Sequence, residues 1–562
     1  MEKILNLLSQ VYSHDIAKLC LDEIKTKIDE YKNNRNADGH YRISEKDSVL
    51  ISYGDNIFSK NQSSKLKTLT DFLNKHVGDN INTVHLLPFF PFSSDDGFSV
   101  IDYYKINNEI GDWEDITEMS RNYRLMFDAV INHVSAKSKY FNEYLKENKD
   151  YSNFFIELNN DFDTSNVIRP RVLPLTHKFE TKGAEKEIWT TFSKDQVDLN
   201  YENYNVLLEI INVLLFYVKS GAKIIRLDAI AFLWKQSGTT CMHLEKTHLI
   251  IKLLKLVLRK VSDNILIITE TNVPHKYNIS YLGKNNDEAD MVYNFTLAPL
   301  LAYSIVAGNT KKLTQWAQSL KLNHKDNFLF NFTASHDGVG VYPVQGILDS
   351  SELGILKKNA VDNGAYLSEK NNPDGSKSIY EINCSYLNLV SYKNDQEDLK
   401  IKKMILSQAI MLSMPGVPGI YIHSLLGSQN YQQGVKESGI KRRINREKLE
   451  IEQLKSELKE NYIRKNIFSQ YMKLLAIRKH ENIFSPYGSF NFIDINEKIF
   501  CIERFSEDKK QKAFLIFNLS DQSLKLKNIS SEKSGFNLIS GENINLSSLI
   551  IEPYDFLWLK LG

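Results

Sequence analysis

Cysteine is scarce in this chain. The four present in 562 residues, Cys20, Cys241, Cys384 and Cys501, lie far apart and form neither a CxxC pair nor a Cys/His ligand spacing. A disulfide framework and a zinc site are therefore not indicated, and a reducing compartment fits best. Long hydrophobic runs are missing too: no segment approaches the roughly 20 apolar residues that span a bilayer. The N-terminal stretch MEKILNLLSQVYSHDIAKLC sets apolar residues at helical spacing without a continuous apolar core or a small-residue cleavage site. It predicts an amphipathic helix over residues 1–32, not a signal peptide. Nor does charge of one sign dominate, since 70 Lys+Arg against 69 Asp+Glu leave +1. Nothing in that balance draws the protein to nucleic acid or to an anionic membrane. What remains is a cytoplasmic protein, 42% hydrophobic and 25% charged, too long for one small core.

Eight short runs rich in Val, Ile, Leu and Phe punctuate the chain: DSVLISYG (47–54), NTVHLLPFF (82–90), RLMFDAVINH (124–133), AKIIRLDAI (222–230), NILIITET (264–271), MVYNFT (291–296), NFLFNFTASHD (327–337) and GIYIHS (419–424). Continuous apolar strands separated by helical patterns mean parallel strands covered on both faces, and eight of them predict a (β/α)8 barrel. Two connections are too long for a simple crossover and are expected as inserted subdomains after strands 3 and 7, over the mouth of the barrel. From about residue 488, short alternating strands (FNFIDIN, KIFCIERF, KAFLIFNL, FLWLKL) predict a C-terminal antiparallel β domain. The expected layout is an N-terminal helical extension (1–44), a barrel (45–134, 201–340 and 396–487), one insert at 135–200, a second at 341–395 and the β domain (488–562). The Lys/Glu-rich segment 441–465 reads as a solvated helical stretch.

Charged residues stand where the strands end. Asp128 and His133 close the third, Arg226 and Asp228 the fourth, Glu270 the fifth, and His336 and Asp337 the seventh. Any one of these could cap a helix or pair locally. Four strands ending this way at one mouth point to a site. Two carboxyls on adjacent strands suit double-displacement glycoside chemistry, in which one attacks the anomeric carbon and the other protonates the departing oxygen. Arg226, two residues before Asp228, would favour its ionised form, whereas Glu270 must hold a proton, which burial or a nearby negative charge provides.

These residues resemble the α-amylase family of glycoside hydrolases and transglycosylases, whose four short barrel motifs stand here in order as DAVINH (128–133), RLDAIAF (226–232), ITET (268–271) and ASHDG (334–338). The resemblance implies Asp228 as nucleophile, Glu270 as general acid/base and Asp337 as the stabilising carboxylate, with Arg226, His133 and His336 binding and orienting around them. Within the family, YGD (53–55), VHLLPFFPFSSDDGFSVIDYYKIN (84–107), GTTCMHLEKTH (238–248), MVYNFTLAPLL (291–301) and SHDGVGV (335–341) look like the sucrose phosphorylase group, from about residue 45 to the C-terminal domain. That likeness implies that Asp95 and Arg446 grip the glucosyl ring together and that Phe98, Phe192 and Gln196 contribute its walls and a sugar-contacting amide. It also implies that Arg169 and Arg171, with Tyr342 and Gln345, serve the phosphate or acceptor side. Guanidinium forks match phosphate oxygens.

The implied activity is a retaining α-glucoside phosphorylase yielding α-D-glucose 1-phosphate through a covalent glucosyl-aspartate, with a small α-glucoside and inorganic phosphate as partners and no nucleic acid or membrane. YPVQGILDSSELG after SHDGVGV, NPDGSKSIYEIN in the second insert and AIAFLWKQ after Asp228 depart from sucrose-cleaving members. They are more similar to relatives releasing glycerate, glycerol or a phosphorylated sugar, so glucosylglycerate is the expected substrate ahead of sucrose, glucosylglycerol and sucrose 6-phosphate. A hydrolase or transglucosidase with the same triad is the alternative, and a non-catalytic sugar-binding barrel is disfavoured because all three carboxylates are present. No cofactor or metal is implied; Asn132 matches a calcium ligand of some amylases, but no cluster of oxygen ligands surrounds it in the sequence.

Overall fold

A computed structural model describes residues 1–32, 41–159, 161–321, 326–371, 376–527, 529 and 532–561. Residues 33–40 of the expected N-terminal extension and the NPDG of the second insert (372–375) lie outside the described residues.

Eight buried parallel strands close into one barrel: β1 (Val49–Ser52), β2 (Thr83–Leu86), β3 (Arg124–Ala129), β4 (Ala222–Leu227), β5 (Leu266–Thr269), β6 (Met291–Tyr293), β7 (Phe328–Phe332) and β8 (Val417–Tyr421). All eight apolar runs of the sequence are barrel strands. Neighbours follow chain order, and the circle closes where Val49 pairs with both Thr83 and Gly419. The strands are apolar on both faces because one face fills the barrel and the other meets the helices.

Register positions the mouth. Asp128 lies opposite Arg226, Arg226 opposite Ile268 and Leu227 opposite Thr269. The ladder runs one step further: the Asp228 N–H donates to the Ala129 carbonyl at 3.2 Å, and the Glu270 N–H to the Leu227 carbonyl at 3.0 Å. Asp228 and Glu270 therefore stand level on adjacent strands, which in any sheet are about 4.8 Å apart.

The N-terminal extension is two helices, not one: α1 (Glu2–Val11) and α2 (His14–Lys32), separated where Tyr12 turns extended and donates its hydroxyl to the Tyr201 carbonyl at 2.8 Å. Two barrel helices explain why the pair is there. In α3 (Tyr204–Lys219) buried apolar residues lie almost all the way round, and α4 (Glu245–Val261) likewise buries more than one stripe. A helix apolar on more than one face needs cover on its outer side as well. Among the described residues, α2 packs on α3 and α4, and α1 packs on α4.

The first insert contributes the antiparallel pair His133–Ser135 with Gln196–Asp198 and the hairpin of Thr176–Glu180 with Glu185–Trp189. The second contributes the helix Ser350–Asp362 and a three-stranded sheet of Val339–Gly340, Lys377–Asn383 and Tyr366–Asn371. A six-stranded antiparallel sheet starting at Phe490 forms the C-terminal unit, and it includes the four strands expected there. No helix of the described residues is long and apolar enough to cross a membrane.

The stretch 441–465 corrects its sequence reading. Only Ile451–Glu460 and the start of the helix Tyr462–Arg478 are helical in the expected sense. The short turn Lys441–Asn445 instead carries Arg442 and, just beyond it, Arg446 into the barrel mouth. Their charges meet buried or half-buried carboxylates there.

The covering role of α1 predicts that Leu8→Ala, at a fully buried position, lowers unfolding stability by about 2–4 kcal/mol. Urea denaturation measures it, and a change below about 0.5 kcal/mol, as at an ordinary surface site, would mean that the extension is only loosely attached.

Candidate active site

A cavity of about 680 Å³ opens at the C-terminal ends of the strands. At its base Arg226, almost fully buried, donates through Nη1 to Asp128 and, at 2.7 Å, to Asp228 Oδ1, while Nη2 lies 4.0 Å from Glu270 Oε2. Behind it, Asp128 Oδ2 is 2.8 Å from His85 Nε2. One guanidinium thus faces carboxylates at the ends of three neighbouring strands.

Asp228, Glu270 and Asp337 all line the cavity. Burial pushes the Asp228 carboxyl up to about 8, against the pull of Arg226 and with help from Glu270 and Asp128. The sequence had favoured an ionised Asp228 through Arg226; in the enclosed site desolvation outweighs that single cation. Glu270 is raised as well, by burial first and then by Asp337, with Arg226 opposing. The two behave as a pair that retains a proton to higher pH than ordinary carboxylates. Arg226 hydrogen-bonds Asp228 directly and Glu270 only at longer range, so the shared proton belongs on Glu270. The Ala229 N–H donates to Glu270 Oε2 at 3.0 Å from a backbone in the left-handed region (φ +48°). A side-chain-bearing residue in that conformation carries strain on the order of 1 kcal/mol or more. Asp337 goes the other way: burial would raise it, but Arg442 (2.5 Å) and Arg446 (3.5 Å) hold its carboxyl well below the usual range.

The sugar-side residues also gather. The His336 ring stacks on Phe98, with centroids 4.7 Å apart and planes 4° from parallel, and burial pushes its imidazole down to about 3. His133 Nε2 is 2.9 Å from the Phe98 carbonyl, and Gln196 Nε2 donates to the same carbonyl at 3.1 Å. Phe192 packs 5.1 Å from the His133 ring. The Asp-x-Gly-Phe loop needs its glycine: Gly97 has φ +114°, and a Cβ there would lie 2.6 Å from the Pro88 carbonyl oxygen. Asp95 and Asp96 are left-handed too, at +54° and +48°, which is the backbone economy of a loop bent to aim two carboxylates.

The two members of the expected Asp95–Arg446 clamp have different partners in the structure. Arg446 Nη1 donates to Asp96 Oδ2 at 2.8 Å and its Nε to the His336 carbonyl at 2.6 Å, so it buttresses the loop and Asp337 from behind the cavity wall. Asp95 is instead held by Arg171 Nη2 at 2.8 Å; burial would raise its carboxyl, and Arg171, with Arg442 and Arg446, keeps it well below the usual range. Arg171, expected on the phosphate or acceptor side, thus pairs with a carboxylate of the expected glucose subsite. Arg169 and Tyr342 line the cavity as expected. Gln345 does not: it is exposed beyond the short turn Tyr342–Val344, whose end points it to solvent.

Sequence reasoning passed over Arg442, Glu381 and Asp96. Arg442 reaches Asp337 and, through Nε, Glu381 Oε1 at 3.2 Å; Glu381, nearly buried in the second insert, also accepts from the Gly338 N–H at 2.6 Å. The doubled arginine of RRINR was the available signal. Asn132 is also accounted for. Its Oδ1 accepts from Lys235 Nζ at 3.0 Å, and the same ammonium lies 2.6 Å from Asp198 Oδ2 and 2.5 Å from the Phe232 carbonyl, all of it buried. A side-chain cation fills this oxygen cage. Among the described residues no group of His, Cys, Asp and Glu could hold a metal ion.

Comparison with known proteins places this geometry. The family described as "Alpha amylase, catalytic domain" matches residues 71–341. The chain is 41% identical over 563 residues to glucosylglycerate phosphorylase of Escherichia coli (strain K12), covering 100% of both chains. It is 41% identical over 527 residues to glucosylglycerate phosphorylase of Spirochaeta thermophila, covering 92% of this chain and 89% of that one. Among solved structures, sucrose 6F-phosphate phosphorylase from Thermoanaerobacter thermosaccharolyticum superposes with a TM-score of 0.74 at 25% identity, over 91% of this chain and 99% of the other.

The Lys235 cage generates a prediction. Lys235→Met keeps the apolar stem but leaves Asp198 buried without its cation, and is expected to cost about 3–5 kcal/mol. Thermal and urea unfolding measure it; a loss no larger than that of a surface lysine would show that the cage contributes nothing.

Proposed function

The chain belongs to the α-amylase family, in its sucrose phosphorylase-like group, and on that premise we propose that it is a retaining phosphorylase of glucosylglycerate, transferring the glucosyl group to inorganic phosphate. The observation that carries the chemistry is the level placement of Asp228 and Glu270 on adjacent strands under one guanidinium. Retaining transfer needs carboxyls about 5–5.5 Å apart, close to the spacing of neighbouring strands. The substrate follows the full-length relatives, which carry the name glucosylglycerate phosphorylase.

In the first step Asp228 attacks the anomeric carbon while Glu270 gives its proton to the glycosidic oxygen, and glycerate departs with that proton. In the second, a phosphate oxygen attacks the same carbon, Glu270 takes the phosphate proton, and Asp228 leaves as carboxylate. Two inversions return the α configuration. Asp337, kept ionised by Arg442 and Arg446, suits hydrogen bonding to sugar hydroxyls and stabilising positive charge at the anomeric carbon. The Phe98–His336 stack and Phe192 offer apolar surface to the ring. A cytoplasmic setting suits both the phosphate supply and four free, buried cysteines.

Two measurements test this reading. Purified protein given glucosylglycerate should release glucose 1-phosphate in proportion to added phosphate, and Asp228→Ala should lower turnover by roughly 10³-fold or more while leaving the unfolding transition in place. Free glucose as the main product at saturating phosphate would instead make it a hydrolase. The pH profile of kcat/KM is the second. Activity needs Asp228 ionised and Glu270 protonated, so it falls at low pH as Asp228 gains a proton and at high pH as Glu270 loses one. Because burial raises the pair, the acid limb is expected clearly above the ordinary carboxylate range near ~4. An acid limb at that ordinary value would mean that Arg226 outweighs burial.

A further inference from the structure

Most cations around the cavity are already committed. Arg171 is paired with Asp95, Arg442 with Asp337 and Glu381, and Arg226 with Asp128 and Asp228. Two lining cations have no carboxylate partner among the described residues: Arg169, exposed at the rim, and Lys370. Lys370 comes from the strand Tyr366–Asn371 of the second insert. It is half-buried, and its Nζ rests 4.2 Å from the centre of the Tyr342 ring, which also lines the cavity. Burial alone lowers its ammonium from the usual value, with no anion opposing the shift. A cation desolvated without a counter-charge carries a free-energy cost, which an anion bound from solution would relieve. The aromatic shelf holds the ammonium without neutralising it.

The proposed reaction brings two anions to this side of the site, one after the other. Retention obliges phosphate to approach the anomeric carbon from the face that the leaving group has just vacated. The two also resemble one another: glycerate carries its carboxylate within one or two carbons of the glycosidic oxygen, and phosphate carries its charge on the phosphorus bonded to the attacking oxygen. One positive group set beside that oxygen can therefore serve both.

We propose that Lys370, shelved on Tyr342, is a shared anion group that holds the carboxylate of the leaving group in the first half-reaction and phosphate in the second, making it a specificity-determining residue of this site. The assignment rests on the glucosylglycerate reading above. It gives the site a means to prefer an acceptor bearing a carboxylate over a neutral polyol of similar size. Asn272 supplies a complementary neutral contact, since it lines the cavity two residues after Glu270 and its buried Oδ1 has no hydrogen-bond partner.

The test runs the full-length protein in the synthetic direction, with glucose 1-phosphate as donor and either glycerate or glycerol as acceptor. The wild type should prefer glycerate; if it does not, the substrate reading fails and this assignment fails with it. In Lys370→Met the glycerate-to-glycerol ratio of kcat/KM should fall by roughly 10- to 100-fold, and the KM for glucose 1-phosphate should rise by roughly tenfold in the same enzyme. Lys370→Arg should restore much of both. A fall in the ratio without a change in donor KM, or the reverse, overturns the sharing. A variant that keeps the wild-type ratio and the wild-type KM overturns Lys370 altogether, and leaves the substrate reading standing.

Discussion

The site depends on a single buried guanidinium. Arg226 binds Asp128 behind it and Asp228 in front, and stays within 4.0 Å of Glu270. Without that charge, Asp128, Asp228 and Glu270 would crowd one low-dielectric pocket, and two or more of them would have to take up protons. With it, one carboxylate can be held as an anion and another as an acid at the same pH. The barrel supplies the positions: the ladder that pairs Asp128 with Arg226 continues unbroken to set Asp228 beside Glu270. Chemistry and strand register are one constraint here.

A second layer of arginines ties the inserted segments to that centre. Arg442 bridges Asp337, after the seventh strand, to Glu381 of the second insert, and Arg446 bridges the Asp95–Asp96 loop to the His336 carbonyl. Arg171 from the first insert reaches Asp95. Each contact joins chain segments far apart in sequence, so the cavity walls are tied to the carboxylates by partly buried ion pairs, which salt weakens less than fully exposed ones.

Much of this was legible in the residues. The eight apolar runs, the two overlong connections and the alternating C-terminal strands each carry a local signal that survives in the fold, because a doubly covered parallel strand has to be continuously apolar. The gathering of carboxylates at one mouth was legible for a related reason: charges that interrupt such strands at their ends have no cheap structural explanation when four of them coincide. Partner choice was not legible. Whether Arg446 meets Asp95 or its neighbour Asp96 depends on two successive left-handed residues, and periodicity says nothing about them. Arg442 looked like part of a solvated Lys/Glu stretch because composition does not reveal which carboxylates a turn will face. The opposing pulls on Asp228 were likewise invisible, since a sequence shows the nearby cation and not the depth of burial.

The ammonium of Lys235, enclosed by Asn132, Asp198 and the Phe232 carbonyl, has a consequence of another kind. A dissolved ion occupies such a cage only to the extent that its concentration exceeds its dissociation constant. A tethered one is present at a high effective concentration fixed by the chain itself, and its occupancy does not vary with the medium. Asn132 and Asp198 belong to the segments that begin and end the first insert, so the junction between insert and barrel is set once, at folding, and does not have to be re-established whenever the ionic composition around the protein changes.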